Sequence, residues 1–295
     1  MKMYIEEFND YLVNIKKSSK NTIESYLRDI SQFCVFCVDS EISSVKNISS
    51  FTIGDYISHM QKSGKSYATL VRILASIKCY CNFLFLSNII SKFSFDDIKI
   101  KKQQKKLPEV LTSKEIRLLL DQPDVNDLKG CRDKAMLELL YATGIKVSEL
   151  IAVNVNDLNL QVGILHLHNV KNDRVIPMYP ECIKYLLNYM TRVRNLVVTD
   201  DSVEELFTNM NGEKMTRQGF WKIIKHYSEM AGIKKDINPH TIRHSFAAHL
   251  IENGAPIKDI KEILGHSDIS STQIYAQLMK NKYAQSYKKY HPMAR

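Results

Sequence analysis

Residues 99–106 read KIKKQQKK, five lysines in eight positions with no acid among them, and Pro108 follows. Such a run cannot enter a hydrophobic core, because each ammonium keeps its water, and the proline blocks a helix that would bridge the two sides. Apolar residues at helical spacing lie on both sides of it. The chain therefore has to fold as two units joined by a basic strap. With 295 residues, each unit is long enough to bury its own core. The expected division is a helical domain over 1–98, a linker over 99–106 and a second domain over 107–295.

Before the strap, Ile23, Tyr26, Leu27, Ile30, Phe33, Cys34 and Cys37 recur at helical spacing and predict an amphipathic helix. A shorter helix is expected after Thr52 and a third from Ser66 to Leu86, burying Leu70, Leu74, Ile77, Cys81 and Leu84. Thr69, Arg72 and Ser76 share another face of that third helix, either a DNA-facing surface or an ordinary solvated one. After the strap, Thr112-x-x-Glu115 is a capping-box pattern ahead of Ile116, Leu119 and Leu120. An apolar helix follows from Asp133 to Thr143, stopped by Gly144. Gly163–Val170 and Arg174–Met178 read as two strands, turned by Lys171-Asn172-Asp173. Further helices are expected over 181–194, 218–231, 241–253, 257–264 and 272–288.

Lys and Arg number 41 against 32 Asp and Glu, a net charge of +9, which favours a polyanionic partner such as nucleic acid. Met1 to Glu7 show no basic start followed by an apolar core and so no secretion pattern, and the apolar stretch Phe83–Phe93 is too short and interrupted to span a bilayer. A cytoplasmic location and no membrane partner are expected. Six cysteines occur; Cys34 and Cys37 continue an apolar stripe and Cys79-x-Cys81 is too tight for a usual zinc loop, which favours reduced core thiols over a metal site. His166 and His168 alternate along a strand and face one side, but no third ligand is evident from the sequence. No metal and no cofactor is expected.

The segment PHTIRHSFAAHL sets His240 and Arg243 three apart at a helix start, where both can converge on one anion. Arginine offers a planar fork matching phosphate, and histidine adds a donor that titrates near neutrality. Leu264-Gly265-His266 then ends a helix and presents His266, and nine residues later stands Tyr275. A phenol is a poor nucleophile at its ordinary pKa, so attack on a phosphodiester needs such neighbours to stabilise charge on the phosphate. Each residue alone is ordinary, and their order and spacing carry the weight.

That order, H-x-x-R, then L-G-H, then Y, resembles the tyrosine recombinase (phage integrase) family, closest to its Xer-type members. Residues 141–150 (YATGIKVSEL), the strand pair and the closing residues 291–294 (HPMA) share the likeness. The resemblance implies a mainly α fold with a small β-sheet: a helical, SAM-like core-binding domain and a mixed α/β catalytic domain closing as a C-shaped clamp on duplex DNA. It implies that Tyr275 forms a 3′-phosphotyrosyl link without ATP or metal. It also implies a homo-tetramer on paired half-sites, joined through a C-terminal helix that Tyr283, Tyr287 and Tyr290 would anchor. In a DNA-binding protein the strap lysines Lys101, Lys102, Lys105 and Lys106 would lie against phosphates, each releasing a counterion.

The sequence departs from the family at two places. Where the family carries an arginine, this chain has Lys146, which keeps the charge and loses the fork. The general-acid lysine of the strand turn matches Lys171, although the turn is shorter than usual and an ungapped count sets Asn169 there. Glu149 is expected to support the cations, and His249 to pack. A binding protein weakened in cleavage by Lys146 is the alternative, and a helical RNA-modifying enzyme would explain the charge but not the spacing.

Overall fold

The computed structural model describes residues 3–91, 94–95, 98, 100, 108–168, 173–200 and 202–265. Its contacts divide the chain into two compact units, Met1–Lys105 and Lys106–Arg295. The linker lysines 101, 102, 105 and 106 lie outside the described residues, as do Lys171, His266, Tyr275 and the predicted helix over 272–288.

The first unit is helical: α1 (Ile5–Asp10, continued by a π turn to Ile15), α2 (Lys20–Asp39), α3 (Ser50–Lys62) and α4 (Tyr67–Leu86). The three long helices start where serine side chains can accept from otherwise unpaired first-turn N–H groups: Ser19 from Thr22, Ser49 from Thr52 and Ser66 from Thr69. Helix α1 is an addition to the sequence reading. Its Phe8 and Leu12 are fully buried, Phe8 packing edge-on to Tyr80 at 5.2 Å between ring centroids. Burying each such side chain stabilises by roughly 1.5–3 kcal/mol.

Helix α4 changes the membrane reading. By length and composition it is apolar enough to cross a bilayer, which the stretch Phe83–Phe93 alone is not. Half of it is buried in this unit, where it packs on α2 and α3, so it serves as the core helix of a globular domain. It also corrects the proposed DNA face. Ser76 is fully buried, its hydroxyl donating to Asp29 Oδ2 at 3.2 Å and to the Ile73 carbonyl at 2.8 Å. Arg72 pairs with the same carboxylate. Ser76 therefore has no surface to offer DNA: Asp29, buried on α2, needs donors, and α4 supplies them.

The six cysteines are buried and free of disulfides. Burial pushes the Cys34 thiol up to about 11 and those of Cys37 and Cys81 to about 12, so these three remain neutral thiols among apolar neighbours.

The second unit holds α5 (Ser113–Leu120), α6 (Leu128–Thr143), α7 (Val147–Leu150), β1 (Leu158–Asn159), β2 (Ile164–Leu167), β3 (Arg174–Pro177), α8 (Pro180–Tyr189), α9 (Asn195–Val197, reached through a π turn), α10 (Arg217–Met230), α11 (Pro239–Glu252) and α12 (Ile257–Leu264). The capping box at Thr112 forms as expected, its hydroxyl accepting from the Glu115 N–H and the Glu115 carboxylate from the Thr112 N–H. The sheet runs β1-β2-β3, antiparallel throughout, with Leu165 opposite Ile176 and Leu167 opposite Arg174. Leu165 and Leu167 point into the core while Ile164 and His166 point outward. Among the described residues, pairing of β2 with β3 runs from Ile164 opposite Pro177 to Leu167 opposite Arg174, and the predicted strand end at Val170 lies outside the described residues.

Helix α6 runs through the core of this unit and carries charge inward. Lys134 donates to the Leu120 carbonyl at 2.6 Å and pairs with Glu138 at 2.9 Å, and Tyr179 donates to Glu138. Arg132 pairs with Asp133 at 2.7 Å, which also accepts from Tyr227. These buried charges are matched within one helix and its neighbours, which is what permits them there.

Candidate active site

Three loops and helix ends converge. Asn238 caps α11, its carboxamide oxygen accepting from the N–H groups of His240 (2.9 Å) and Thr241 (3.1 Å), with Pro239 in the first helical position. This cap sets His240 at the rim, exposed, and Arg243 one turn inward, 4% exposed. The Arg243 guanidinium donates to the carbonyls of Gly144 at 2.6 Å and Leu264 at 2.7 Å. Gly144 ends α6 in the left-handed region, and a Cβ there would come within 2.3 Å of the Phe246 ring, so only glycine fits.

Lys146 stands just before α7, its backbone N–H donating to Glu149 Oε2 at 2.8 Å. The same oxygen accepts from Arg174 at 3.0 Å, and Arg174 Nε reaches the Ile263 carbonyl at 2.8 Å. Two guanidiniums thus hold the last two carbonyls of α12, those of Ile263 and Leu264, where the helix dipole favours cations. Gly265 follows at φ 63°, and a Cβ there would approach Arg174 to 2.8 Å. The chain position of His266 comes directly after this clamp.

A cleft of about 530 Å³ is lined by Ile145, Lys146, Ser148, Arg217, Trp221, Asn238, His240 and Arg243, with Val147 and Pro239 completing its wall. The structure therefore brings Lys146, His240 and Arg243 together on one concavity, although they come from separate segments. Arg217 and Trp221, four residues apart on α10, were missed by sequence reasoning. Nothing in their local pattern separates them from any exposed pair on a helix. Arg174 was also missed as a site residue, since an arginine opening a strand is common. Only its partners 25 and 89 residues away give it meaning.

His249 packs rather than reacts. Its Nε2 meets the Leu111 carbonyl at 2.9 Å, which can only accept, so Nε2 carries the proton and Nδ1 accepts from the Tyr141 hydroxyl at 2.9 Å. On the hairpin, His166 and His168 gain the third group that the sequence did not reveal: Asp173, whose carboxylate lies 3.5 Å from His166 Nε2 and 3.4 Å from His168 Nδ1.

Two groups at the site make it acid-sensitive. Burial, then the charges of His240 and Arg243, push His244 down to about 4 from 6.5. For Glu149, burial works to raise the pKa, but the Arg174 hydrogen bond and the Lys146 N–H outweigh it and hold the carboxyl below its usual 4.5. A histidine with a depressed folded pKa contributes stability that is intact above its unfolded value of 6.5 and is lost between there and about 4. A depressed carboxylate contributes above its unfolded value and loses it as pH falls through the folded one. Both losses have the same sign. The melting temperature is expected to fall on acidification from pH 7, first through His244 and then, near and below 4.5, through Glu149. His244→Gln should flatten the upper part of that profile, and an unchanged slope between 6.5 and 4 would refute the assignment.

Comparison with known proteins defines the class. The N-terminal SAM-like domain of phage integrases matches residues 5–88, and the phage integrase family matches residues 109–282. The chain belongs to the phage integrase family, as a Xer-like tyrosine recombinase. Tyrosine recombinase XerD of Staphylococcus epidermidis strain RP62A is 39% identical over 295 residues, covering all of both chains. XerD of Staphylococcus aureus strain Mu50 is 37% identical over the same extent. Among solved structures, the XerH site-specific recombinase bound to its palindromic difH substrate, in a post-cleavage complex, superimposes with a TM-score of 0.75 at 18% identity, over 97% of this chain and 94% of that one. At that identity the likeness speaks for the fold.

Proposed function

We propose that the protein is a site-specific DNA recombinase that cuts and rejoins strands through Tyr275. The observation that carries the reading is the common cleft of Lys146, His240 and Arg243, beside a clamped α12 end that leads directly to His266. In this reading the Tyr275 phenolate attacks the scissile phosphorus, and the bond to the 5′-oxygen breaks as a 3′-phosphotyrosyl ester forms. Arg243, His240, His266 and Lys146 stabilise the charge on the phosphate, and Lys171 protonates the departing 5′-oxygen. Reversal with a partner strand rejoins the DNA, the ester conserving the bond, so neither ATP nor a metal is required.

Thr69, the exposed part of Arg72 and the strap lysines Lys101, Lys102, Lys105 and Lys106 are proposed to hold the duplex through its phosphates, which makes affinity fall with salt. Assembly as a tetramer on two DNA sites, through the C-terminal helix, belongs to the same proposal. So does a cytoplasmic location. The recombinase names of the relatives, and the solved recombinase–DNA complex, support the DNA partner.

Lys146 favours a second reading, a DNA-binding protein that cleaves poorly. The experiment selects duplexes from random sequence by retention on the full chain, nicks them to trap cleavage, and examines denaturing gels. A covalent adduct whose DNA-linked peptide contains Tyr275 is the expected result. Retention without an adduct supports the second reading, and an adduct at another residue overturns the assignment.

A further inference from the structure

We infer that His166, His168 and Asp173 form a binding site for a zinc-class divalent metal at the base of the β2–β3 hairpin. Among the described residues they are the one group of three His, Cys, Asp or Glu side chains whose ligand atoms all lie within 4.8 Å of one another. Zinc binds imidazole nitrogen and carboxylate oxygen at about 2.0–2.1 Å, and a tetrahedron of such bonds has ligand-to-ligand edges of roughly 3.3–3.4 Å. His166 Nε2 lies 3.5 Å from Asp173 Oδ2 and His168 Nδ1 lies 3.4 Å from Asp173 Oδ1, and one ligand atom from each residue can be chosen with all three within 4.8 Å, so a small side-chain adjustment brings a single oxygen to both nitrogens. The two histidine rings sit 4.0 Å apart between centroids, close enough to serve one ion.

The backbone holds the ligands. His166 pairs with Val175 across the sheet, and Leu167, the last residue before His168, pairs with Arg174, the first after Asp173. Arg174 is itself fixed to Glu149 and the Ile263 carbonyl. Side-chain exposures of 40%, 62% and 59% leave the fourth position to water, which suits an exchangeable metal better than a permanent one. Two imidazoles select zinc and its transition-metal neighbours over magnesium or calcium, which prefer all-oxygen sites. An exposed His–Asp ion pair would add little by itself.

His168 and Asp173 are the two ends of the connection that holds Lys171. A metal joining them would tie together the two residues between which Lys171 lies in the sequence. If Lys171 is the general acid, as in the proposed function, zinc occupancy slows cleavage.

The test is calorimetric titration of chelator-treated full-length protein with zinc chloride, without DNA. Wild type is expected to bind one zinc that His166→Ala/His168→Ala binds at least tenfold more weakly, with Asp173→Asn as an independent single substitution. Equal zinc binding by wild type and both variants overturns the site. A second arm measures adduct formation with and without zinc. Slowing in wild type, relieved in the variants, supports the regulatory role. Metal binding that leaves cleavage unchanged overturns that role and leaves the site standing. Because the first arm needs no DNA, its failure is distinct from a failure of the recombinase reading.

Discussion

Arg243→Ala is expected to reduce adduct formation by about three orders of magnitude and to lower the melting temperature as well. Removing a single charged donor from a developing oxyanion costs on the order of 10²–10³ in rate, and Arg243 is proposed to act as a bidentate fork on the phosphate. The stability loss comes from the other side of the same guanidinium. Its terminal nitrogens donate to the carbonyls of Gly144 and Leu264, closing the ends of α6 and α12 in a site where the arginine is 4% exposed. Losing hydrogen bonds from a charged donor costs about 1.5–3 kcal/mol each, so about 3 kcal/mol in all is a low estimate, on the order of 6–12 °C in melting temperature for a domain of this size. Arg243→Lys separates the two effects. A lysine can satisfy one carbonyl and keep the charge, so its melting temperature should be intermediate while its cleavage stays at least tenfold down. Single-turnover adduct formation and thermal melts on the same samples read both. Either variant, folded and bound to DNA, that cleaves within tenfold of wild type would remove Arg243 from the proposed chemistry.

The double duty of Arg243 shows which parts of this protein are legible in sequence. Caps are local, so Ser66, Thr112 and the run from Pro239 to Arg243 announce their helices within a few residues. The bounds of α4 and α12 and the start of α5 follow closely. Strand β1 has only two residues and exists because β2 lies beside it, so no local period marks it. Ser76 fails for the same reason in the other direction. It keeps helical spacing with Thr69 and Arg72, but its burial is decided by Asp29, 47 residues earlier. Asp173 was read as a turn residue and Arg174 as a strand opener. Their further roles depend on His166, Glu149 and Ile263, which only the folded chain brings near. The sequence sets His240 and Arg243 on one helix start, while the groups that hold Arg243, the carbonyls of Gly144 and Leu264, are non-local.

Lys146→Arg is expected to raise adduct formation by about 10–100-fold. The backbone at this position is fixed, because the Lys146 N–H is bonded to Glu149, which is in turn held by Arg174. The Lys146 side chain is exposed at the wall of the cleft and makes no ion pair among the described residues. Exchanging it should leave stability within about 0.5 kcal/mol of wild type, as for other exposed positions. A change in rate would then report on the phosphate and not on the fold. A lysine offers one point charge on a flexible stem, whereas an arginine can give two parallel hydrogen bonds and a charge that does not titrate. The gain is therefore expected in the rate of the chemical step, with DNA affinity changed little, since both residues carry one positive charge. Lys146→Ala supplies the lower bound and should fall below wild type. If Lys146→Arg cleaves no faster than wild type while Lys146→Ala is slower, the cleft is built around a point charge. The absent fork would then no longer explain slow cleavage, and the binding-protein reading would lose its main support.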